Sequence, residues 1–123
     1  MREVTIHNLS RKDFAPFTAG YCSSFLCRLR GLTFQKQLPP NWGLLLVQER
    51  ENRLDASIHM LFMQLDLGVV WIDSQDRVVD TRLARRWKLS YIPKNPARYV
   101  LEISVERLNE FSVGDQLKIE KTA

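Results

Sequence analysis

The chain has 123 residues, of which 45% are hydrophobic and 26% are charged. This is the size and composition of one soluble domain, and it argues against a disordered, collagen-like or disulfide-scaffold protein. The formal net charge is +4, which permits acidic partners without requiring one.

The first part of the chain predicts one strand and one short helix. Apolar and polar residues alternate over residues 2–7, which predicts a half-buried strand. Residues 14–20 contain Pro16 and Gly20 and are expected to be irregular. Residues 23–30 predict a helix that ends at Gly31, a residue type suited to the left-handed conformation after a helix. The apolar side chains on one face of this helix are Phe25, Leu26 and Leu29.

The middle of the chain predicts several strands. Residues 44–47 form an apolar run typical of a buried strand, and residues 48–53 form a polar connection. Three consecutive strands are then expected at residues 56–62, 67–72 and 77–81, and the last two are joined by a hairpin turn.

The last part of the chain predicts a loop, an alternating strand, a short helix and a closing strand. The loop covers most of residues 83–96, and the alternating strand covers residues 98–103. Ser104 is placed to cap a short helix, and residues 116–120 predict the closing strand. One face of the alternating strand carries Tyr99, Leu101 and Ile103, and the other carries Arg98 and Glu102.

About seven short strands and two short helices, without regular alternation of strands and crossover helices, predict a mainly β protein. We expect one compact domain over residues 1–123, built as a β-sandwich or a partly open barrel. An α+β arrangement is the open alternative.

Cys22 and Cys27 are expected to be free thiols, with Cys22 in the core and Cys27 partly exposed. If both lay on one helix, their Cα atoms would be about 8–9 Å apart, whereas a disulfide needs less than about 7 Å. A zinc site that adds His7 and His59 is the alternative, but the spacing matches no common zinc pattern. No metal or other cofactor is therefore expected.

A cytoplasmic location without a membrane span is expected. The first residues, MREVTIHNLSRKDF, contain no apolar stretch of the roughly 7–15 residues found in a signal peptide. Residues 60–72 are the most apolar, but Gln64, Asp66 and Gly68 interrupt them. They fall short of the ~18 apolar residues of a membrane span. Free thiols would also agree with a reducing compartment.

His59 is the one weak candidate for a catalytic residue. A histidine general base needs a partner that orients its ring and a nucleophile within about 3 Å. The sequence indicates no unique partner for His59. A structural histidine is therefore favoured over a small hydrolase or transferase that uses this residue.

A basic and aromatic segment is the candidate ligand-binding site. Residues 76–100 carry seven basic side chains against Asp76 and Asp80, a net charge of +5. Guanidinium groups bind phosphate, and aromatic rings stack on bases or sugars. The alternative is a solvated surface, and neither a Walker loop nor a nucleic-acid-reading signature is present. A non-catalytic binding module for an anionic ligand or a protein is thus favoured over nucleic-acid binding. The residues predicted to bind are Arg85, Arg86, Trp87, Lys88 and Tyr91.

Six segments in order resemble the domain of unknown function 192 family. Residues 27–32 resemble its R-x-R-G-L element, residues 58–63 its I-H-M-F-F-M variant, and residues 97–102 its A-R-Y-V-L-E signature. Residues 69–73, Val78-Val79 and Gly114-Asp115 match further elements. The resemblance covers roughly residues 22–120. It implies a compact, mainly β fold with small helices, and it implies no established activity.

The motif residues are expected to have structural roles. They are Arg28, Arg30, Gly31, Met60, Arg98, Tyr99, Glu102, Gly114 and Asp115. Glu102 is the nearest candidate partner for Arg30 and Arg98. The chain departs from the family pattern at Gly68, where aspartate is usual, and at Asp66, where proline is usual. Asp66 could replace that aspartate only if the local backbone shifts.

Overall fold

The computed structural model describes residues 2–33, 35–60, 62–88 and 90–122. Within these ranges, seven strands form one sheet in the order β5-β4-β6-β3-β2-β1-β7. The strands are β1 (Glu3–Asn8), β2 (Phe17–Cys22), β3 (Trp42–Asn52), β4 (Leu67–Ile72), β5 (Val78–Ala84), β6 (Ala97–Ile103) and β7 (Leu117–Lys121). A short α-helix, α1 (Phe25–Arg30), and a 3₁₀ helix (Val105–Glu110) accompany them. None of the described helices is long and apolar enough to cross a membrane.

The sheet curls into a partly open barrel, which confirms the mainly β fold. Neighbouring strands are antiparallel except β2 and β3, which are parallel. The two edge strands approach each other, because Arg77 and Gln116 form an isolated bridge and the Val78 amide donates to the Asp115 carbonyl at 2.9 Å. No continuous ladder joins these edges among the described residues, so the barrel remains open there.

One apolar cluster fills the concave side of the sheet. Because side chains of a strand alternate between its faces, each strand can direct every second residue inward. All seven strands contribute, through Val4, Ile6, Phe17, Ala19, Leu45, Val70, Ile72, Val78, Leu101, Ile103 and Leu117. Phe111, which follows the 3₁₀ helix, completes this cluster.

A second apolar cluster lies on the outer face of β3, β4 and β6 and is covered by irregular chain. Its sheet residues include Leu44, Leu46, Val69, Trp71 and Val100. Its cover includes Ala56, Ile58, Met60, Met63 and Tyr91. The Trp71 indole donates to the Ala56 carbonyl at 2.7 Å, which ties this cover to the sheet.

Several predicted boundaries differ from the structure. The predicted irregular segment 14–20 contains the start of β2, and the predicted connection 48–53 is mostly the end of β3. The predicted strand 56–62 is wrong, since its described part makes only an isolated bridge between Ile58 and Tyr91. Leu61 of that segment and Leu89 of the predicted loop 83–96 lie outside the described residues.

The prediction of two free thiols is wrong. Cys22 is the last residue of β2, and α1 begins only at Phe25, so the two cysteines do not share a helix. Their Cα atoms are 5.6 Å apart and their sulfurs form a disulfide. The predicted placement holds, because Cys22 is buried and Cys27 is partly buried.

Helix α1 begins two residues later than predicted and ends at Gly31 as predicted, but its apolar face is not buried. The Ser24 hydroxyl caps the helix by accepting from the Cys27 amide at 3.2 Å, and Gly31 ends it at φ +51°. Phe25, Leu26 and Leu29 are nevertheless 67%, 75% and 57% exposed.

Candidate functional site: a cleft above Glu102

Glu102 lies in the middle of the sheet on its outer face. It belongs to β6, and its neighbours across the sheet are Leu44 of β3 and Val69 of β4. The alternation predicted for residues 98–103 is confirmed, because Val100 joins the outer cluster while Leu101 and Ile103 join the inner one. Glu102 is only 5% exposed and is thus a carboxyl group among apolar neighbours.

The Glu102 carboxyl group has no hydrogen-bond donor among the described residues. Its Oε1 atom is buried without a partner. Burial without a compensating donor disfavours the ionised form and raises the pKa of Glu102 from 4.5 to about 7. The carboxyl group is therefore close to half-protonated near neutral pH, and it can donate or accept a hydrogen bond.

The expected pairing of Glu102 with Arg30 or Arg98 is not formed. The Arg98 Nε atom instead donates to the Gln48 carbonyl at 3.4 Å, and its guanidinium lies 5.5 Å from the centre of the Tyr99 ring. Arg30 is exposed at the end of α1.

Glu102 lines an open cleft of about 410 Å³. One wall is α1 with the turn that follows it, and the other is strand β3 with the irregular segment that covers the outer cluster. The apolar lining residues are Phe25, Leu29, Leu32, Leu46, Ile58 and Met63. A cleft of this volume is within the usual range for small-molecule sites.

Basic side chains outnumber exposed acidic ones around the cleft. Arg28, Arg30 and Arg50 line it, against Glu49 and Asp55. Arg28 is held in place because its Nη1 atom donates to the Val47 carbonyl at 3.1 Å. The guanidinium has five N–H donors, so most of them remain available to a ligand.

Gly31 brings the backbone close to the Glu102 carboxyl group. A Cβ atom at this position would lie 3.6 Å from Glu102 Oε1, and the φ of +51° disfavours any other residue type. The R-x-R-G-L element and the A-R-Y-V-L-E element therefore meet at this point, although 64 residues lie between them in the chain.

His59 lines the same cleft, on its exposed side. Within the part of the chain that is described, no hydrogen bond orients its ring, and it lies outside any strand. It therefore has access to a ligand, but the described residues supply no partner to orient it as a general base requires.

The basic and aromatic segment lies outside the cleft lining. Arg85, Arg86, Trp87 and Lys88 are exposed, whereas Tyr91 is 5% exposed and its hydroxyl accepts from the Arg85 amide at 2.9 Å. Internal contacts hold this segment in place. The Trp87 ring contacts the Phe62 ring edge to face, at 5.4 Å between centroids, and Lys88 Nζ is 4.9 Å from the centre of the Tyr91 ring.

Asp66 and Gly68 have separate environments. Asp66 Oδ1 accepts from the Arg86 amide at 2.8 Å and fixes the start of the basic segment. A Cβ atom at Gly68 would lie 3.1 Å from Ile103 and Leu108 side-chain atoms, on the inner side of the sheet. Asp66 therefore does not occupy the place that an aspartate at Gly68 would take.

The remaining motif residues are in the core or in turns. Met60 is fully buried in the outer cluster. Gly114 has a φ of +96° in the turn before β7. Asp115 Oδ2 accepts from the Asn8 side chain and from the Ser112 amide, each at 2.9 Å. No group of three or more described His, Cys, Asp or Glu residues could hold a metal ion.

The family model DUF192, described as "Uncharacterized ACR", matches residues 6–119. The chain belongs to this family. The match confirms the resemblance carried by the ordered motifs, and it includes both elements that meet at Glu102.

Relatives in the family share a substantial fraction of the sequence. A UPF0127 protein of Thermococcus gammatolerans is 44% identical over 101 residues, which are 80% of this chain and 64% of the relative. A UPF0127 protein of Thermococcus kodakarensis is 44% identical over 94 residues, covering 75% and 58% of the two chains. One from Pyrococcus furiosus is 36% identical over 101 residues, covering 80% and 83%. The chain thus spans about three fifths of the length of the first two relatives.

Two crystal structures share the fold. A Sinorhizobium meliloti protein, described as a candidate transcription regulator, matches with a TM-score of 0.82 and 23% identity, covering 96% of this chain and 92% of that one. A protein of unknown function from Novosphingobium aromaticivorans matches with a TM-score of 0.78 and 17% identity, covering 94% and 83%. At sequence identities this low, the similarity supports a shared fold but not a shared activity.

Proposed function

We propose that this protein is a single-domain, non-catalytic binding module for a small organic anion, which it holds in the cleft above Glu102. The observation that supports this most directly is the buried Glu102 carboxyl group, which lines the cleft and has no hydrogen-bond donor among the residues that the structure describes. A buried polar group without a partner is costly. A ligand that hydrogen-bonds with it would remove that cost.

The surrounding charges favour an anion over a cation. In its neutral form, Glu102 donates its O–H to an oxygen of the ligand. Arg28 and Arg30, on the wall above it, offer N–H donors that suit a carboxylate. The apolar side chains of Leu46, Ile58 and Met63 contact the body of the ligand. A carboxylate on a short apolar chain meets all three requirements.

Binding of this kind is coupled to protonation. Because an anion near Glu102 favours the neutral carboxyl group, binding raises the pKa of Glu102 further above about 7. Affinity is therefore greatest below this pKa and falls as the pH rises through it.

Hexanoate and its neutral counterpart hexanamide form a matched pair of probes. Isothermal titration calorimetry one pH unit below and one above the Glu102 pKa should show that hexanoate binds, that it binds more tightly at the lower pH, and that hexanamide binds more weakly. Arg28→Ala should weaken hexanoate binding. Equal affinities for the two probes would contradict the proposal.

The double variant Arg85→Ala, Arg86→Ala is the matched control, since it also removes guanidinium charge but lies outside the cleft lining. We expect it to leave hexanoate binding unchanged. If it abolishes binding while Arg28→Ala does not, the site is the basic and aromatic segment, as the sequence alone predicts.

Binding of nucleic acid or of a protein by this segment remains a prediction. No reaction at His59 is proposed.

We retain a cytoplasmic location as part of the proposal. Stable disulfides are rare in a reducing cytosol, so the Cys22–Cys27 bond would there be sensitive to the redox state. Alkylation of free thiols in freshly lysed cells reports its state directly. A fully oxidised pair under reducing growth conditions would argue for an oxidising compartment.

A further inference from the structure

Helix α1 is attached to the rest of the protein by few interactions. None of its six residues is buried, and its three large apolar side chains are more than half exposed. Among the described residues, the Cys22–Cys27 disulfide and the hydrogen bond from Arg28 to the Val47 carbonyl link it to the sheet, and Cys27 also packs against the outer cluster. Isolated helices shorter than about 12–15 residues are marginal in water, so α1 depends on these attachments.

The same helix supplies one wall of the cleft. Phe25, Arg28, Leu29 and Arg30 line it from α1, and Gly31 lines it from the turn that follows, near the Glu102 carboxyl group. Both of the arginines that we assign to anion binding are on this wall. The disulfide is therefore the only covalent link, other than the chain itself, between the ligand-binding wall and the sheet among the described residues.

We propose that the Cys22–Cys27 disulfide is a redox-sensitive bond that controls ligand binding, because its reduction releases α1 from the sheet and removes one wall of the cleft. This inference rests on the proposed function for its ligand, and on the attachment of α1 for its mechanism. The oxidised protein is the form that binds, and the reduced protein is the form that releases the ligand.

The reaction is thiol–disulfide exchange with a dithiol reductant. Cys22 is fully buried, whereas Cys27 is partly exposed and lines an apolar groove beside α1. A thiolate of the reductant attacks Cys27 Sγ, the bond between the two sulfurs breaks, and Cys22 leaves as a thiolate that takes up a proton. The second thiol of the reductant then displaces Cys27, which also takes up a proton. Two electrons pass to the protein and the reductant becomes a disulfide.

Amide hydrogen exchange tests the release of α1 without any ligand. The full chain is compared in its oxidised form and after reduction by dithiothreitol, which leaves both cysteine side chains in place. Exchange at Arg28 and Gly31, whose amides donate to Ser24 and Cys27 carbonyls, should become at least about tenfold faster on reduction. Exchange in β4 and β6 should not change. Equal exchange in α1, or equally faster exchange throughout the sheet, would overturn the inference.

Hexanoate titration of both forms tests the consequence for binding. If α1 is ordered in about one tenth of the reduced molecules, the apparent affinity falls about tenfold. The double variant Cys22→Ala, Cys27→Ala should bind like the reduced form in the presence or absence of dithiothreitol. Equal affinity of the oxidised and reduced forms would overturn the inference. Failure of the oxidised form to bind would instead contradict the proposed function, and hydrogen exchange would still decide whether the disulfide holds α1.

Discussion

Replacing Glu102 by glutamine should change how the stability of the protein depends on pH. In the unfolded chain, the glutamate ionises with its ordinary pKa of 4.5, whereas burial raises the pKa of Glu102 in the folded protein to about 7. Such a group favours the folded state most when it is neutral. Its contribution is therefore fully present below the unfolded pKa and is lost as the pH rises through the folded pKa.

The size of this loss follows from the pKa difference. At about 1.4 kcal/mol for each pH unit, the ionised form of Glu102 costs the folded protein about 3 kcal/mol. The glutamine variant keeps a side chain of the same size but does not ionise. The free energy of unfolding of Glu102→Gln, minus that of the wild type, should therefore increase by about 3 kcal/mol between acidic and alkaline pH.

Urea denaturation at a series of pH values measures this difference, and the contributions of all other titrating groups cancel in it. Glu120→Gln is a control of opposite sign, since hydrogen bonds from Lys118 and His7 lower the pKa of Glu120. If the free energy of unfolding of Glu102→Gln minus that of the wild type does not change with pH, the reasoning is refuted. Such a result would mean that the buried carboxylate has a stabilising partner.

Three further predictions concern the framework around the site. Arg107→Met should destabilise the protein by roughly 3 kcal/mol in urea denaturation, because the buried guanidinium donates to two carbonyls of separate loops; a loss below about 1 kcal/mol would contradict this role. Trp71→Phe should cost about 1–3 kcal/mol by thermal denaturation, since it leaves the Ala56 carbonyl without its donor; an unchanged melting temperature would count against it. Gly68→Ala should lower the melting temperature, because the new methyl group meets Leu108 at 3.1 Å, and an equal or higher melting temperature would show that the 3₁₀ helix moves aside.

Features that depend on neighbouring residues could be predicted from the sequence. The alternation in β6 places Arg98 and Glu102 opposite Leu101 and Ile103 because side chains of any strand alternate. The end of α1 at Gly31 follows in the same way from a local conformational preference.

Features that depend on contacts between distant residues could not be predicted. Helix geometry excludes a disulfide between Cys22 and Cys27 only if both residues lie on one helix. The parallel pairing of β2 with β3 extends β2 as far as Cys22 and brings the two Cα atoms within 5.6 Å. The apolar pattern of α1 is typical of a buried face, but Phe25, Leu26 and Leu29 are all more than half exposed.

In the candidate site, too, the residues could be identified from the sequence, but the contacts between them could not. The motifs that carry the family resemblance contain Arg28, Arg30, Gly31, His59 and Glu102, and all five line the cleft. Their sequence alone indicated structural roles, because the obvious inference for a buried glutamate near arginines is an ion pair. The absence of that ion pair among the described residues leaves Glu102 available to a ligand, and this depends on where distant side chains point.

Proton uptake on hexanoate binding measures whether Glu102 is the group that receives the anion. Hexanoate is titrated into the oxidised protein near pH 7 in buffers that differ in ionisation enthalpy, and the dependence of the observed heat on the buffer gives the number of protons exchanged. We predict net proton uptake by the wild type and none by Glu102→Gln, which should still bind hexanoate. Binding without proton uptake by the wild type, or equal uptake by the variant, would contradict the assignment of Glu102 as the group that receives the anion.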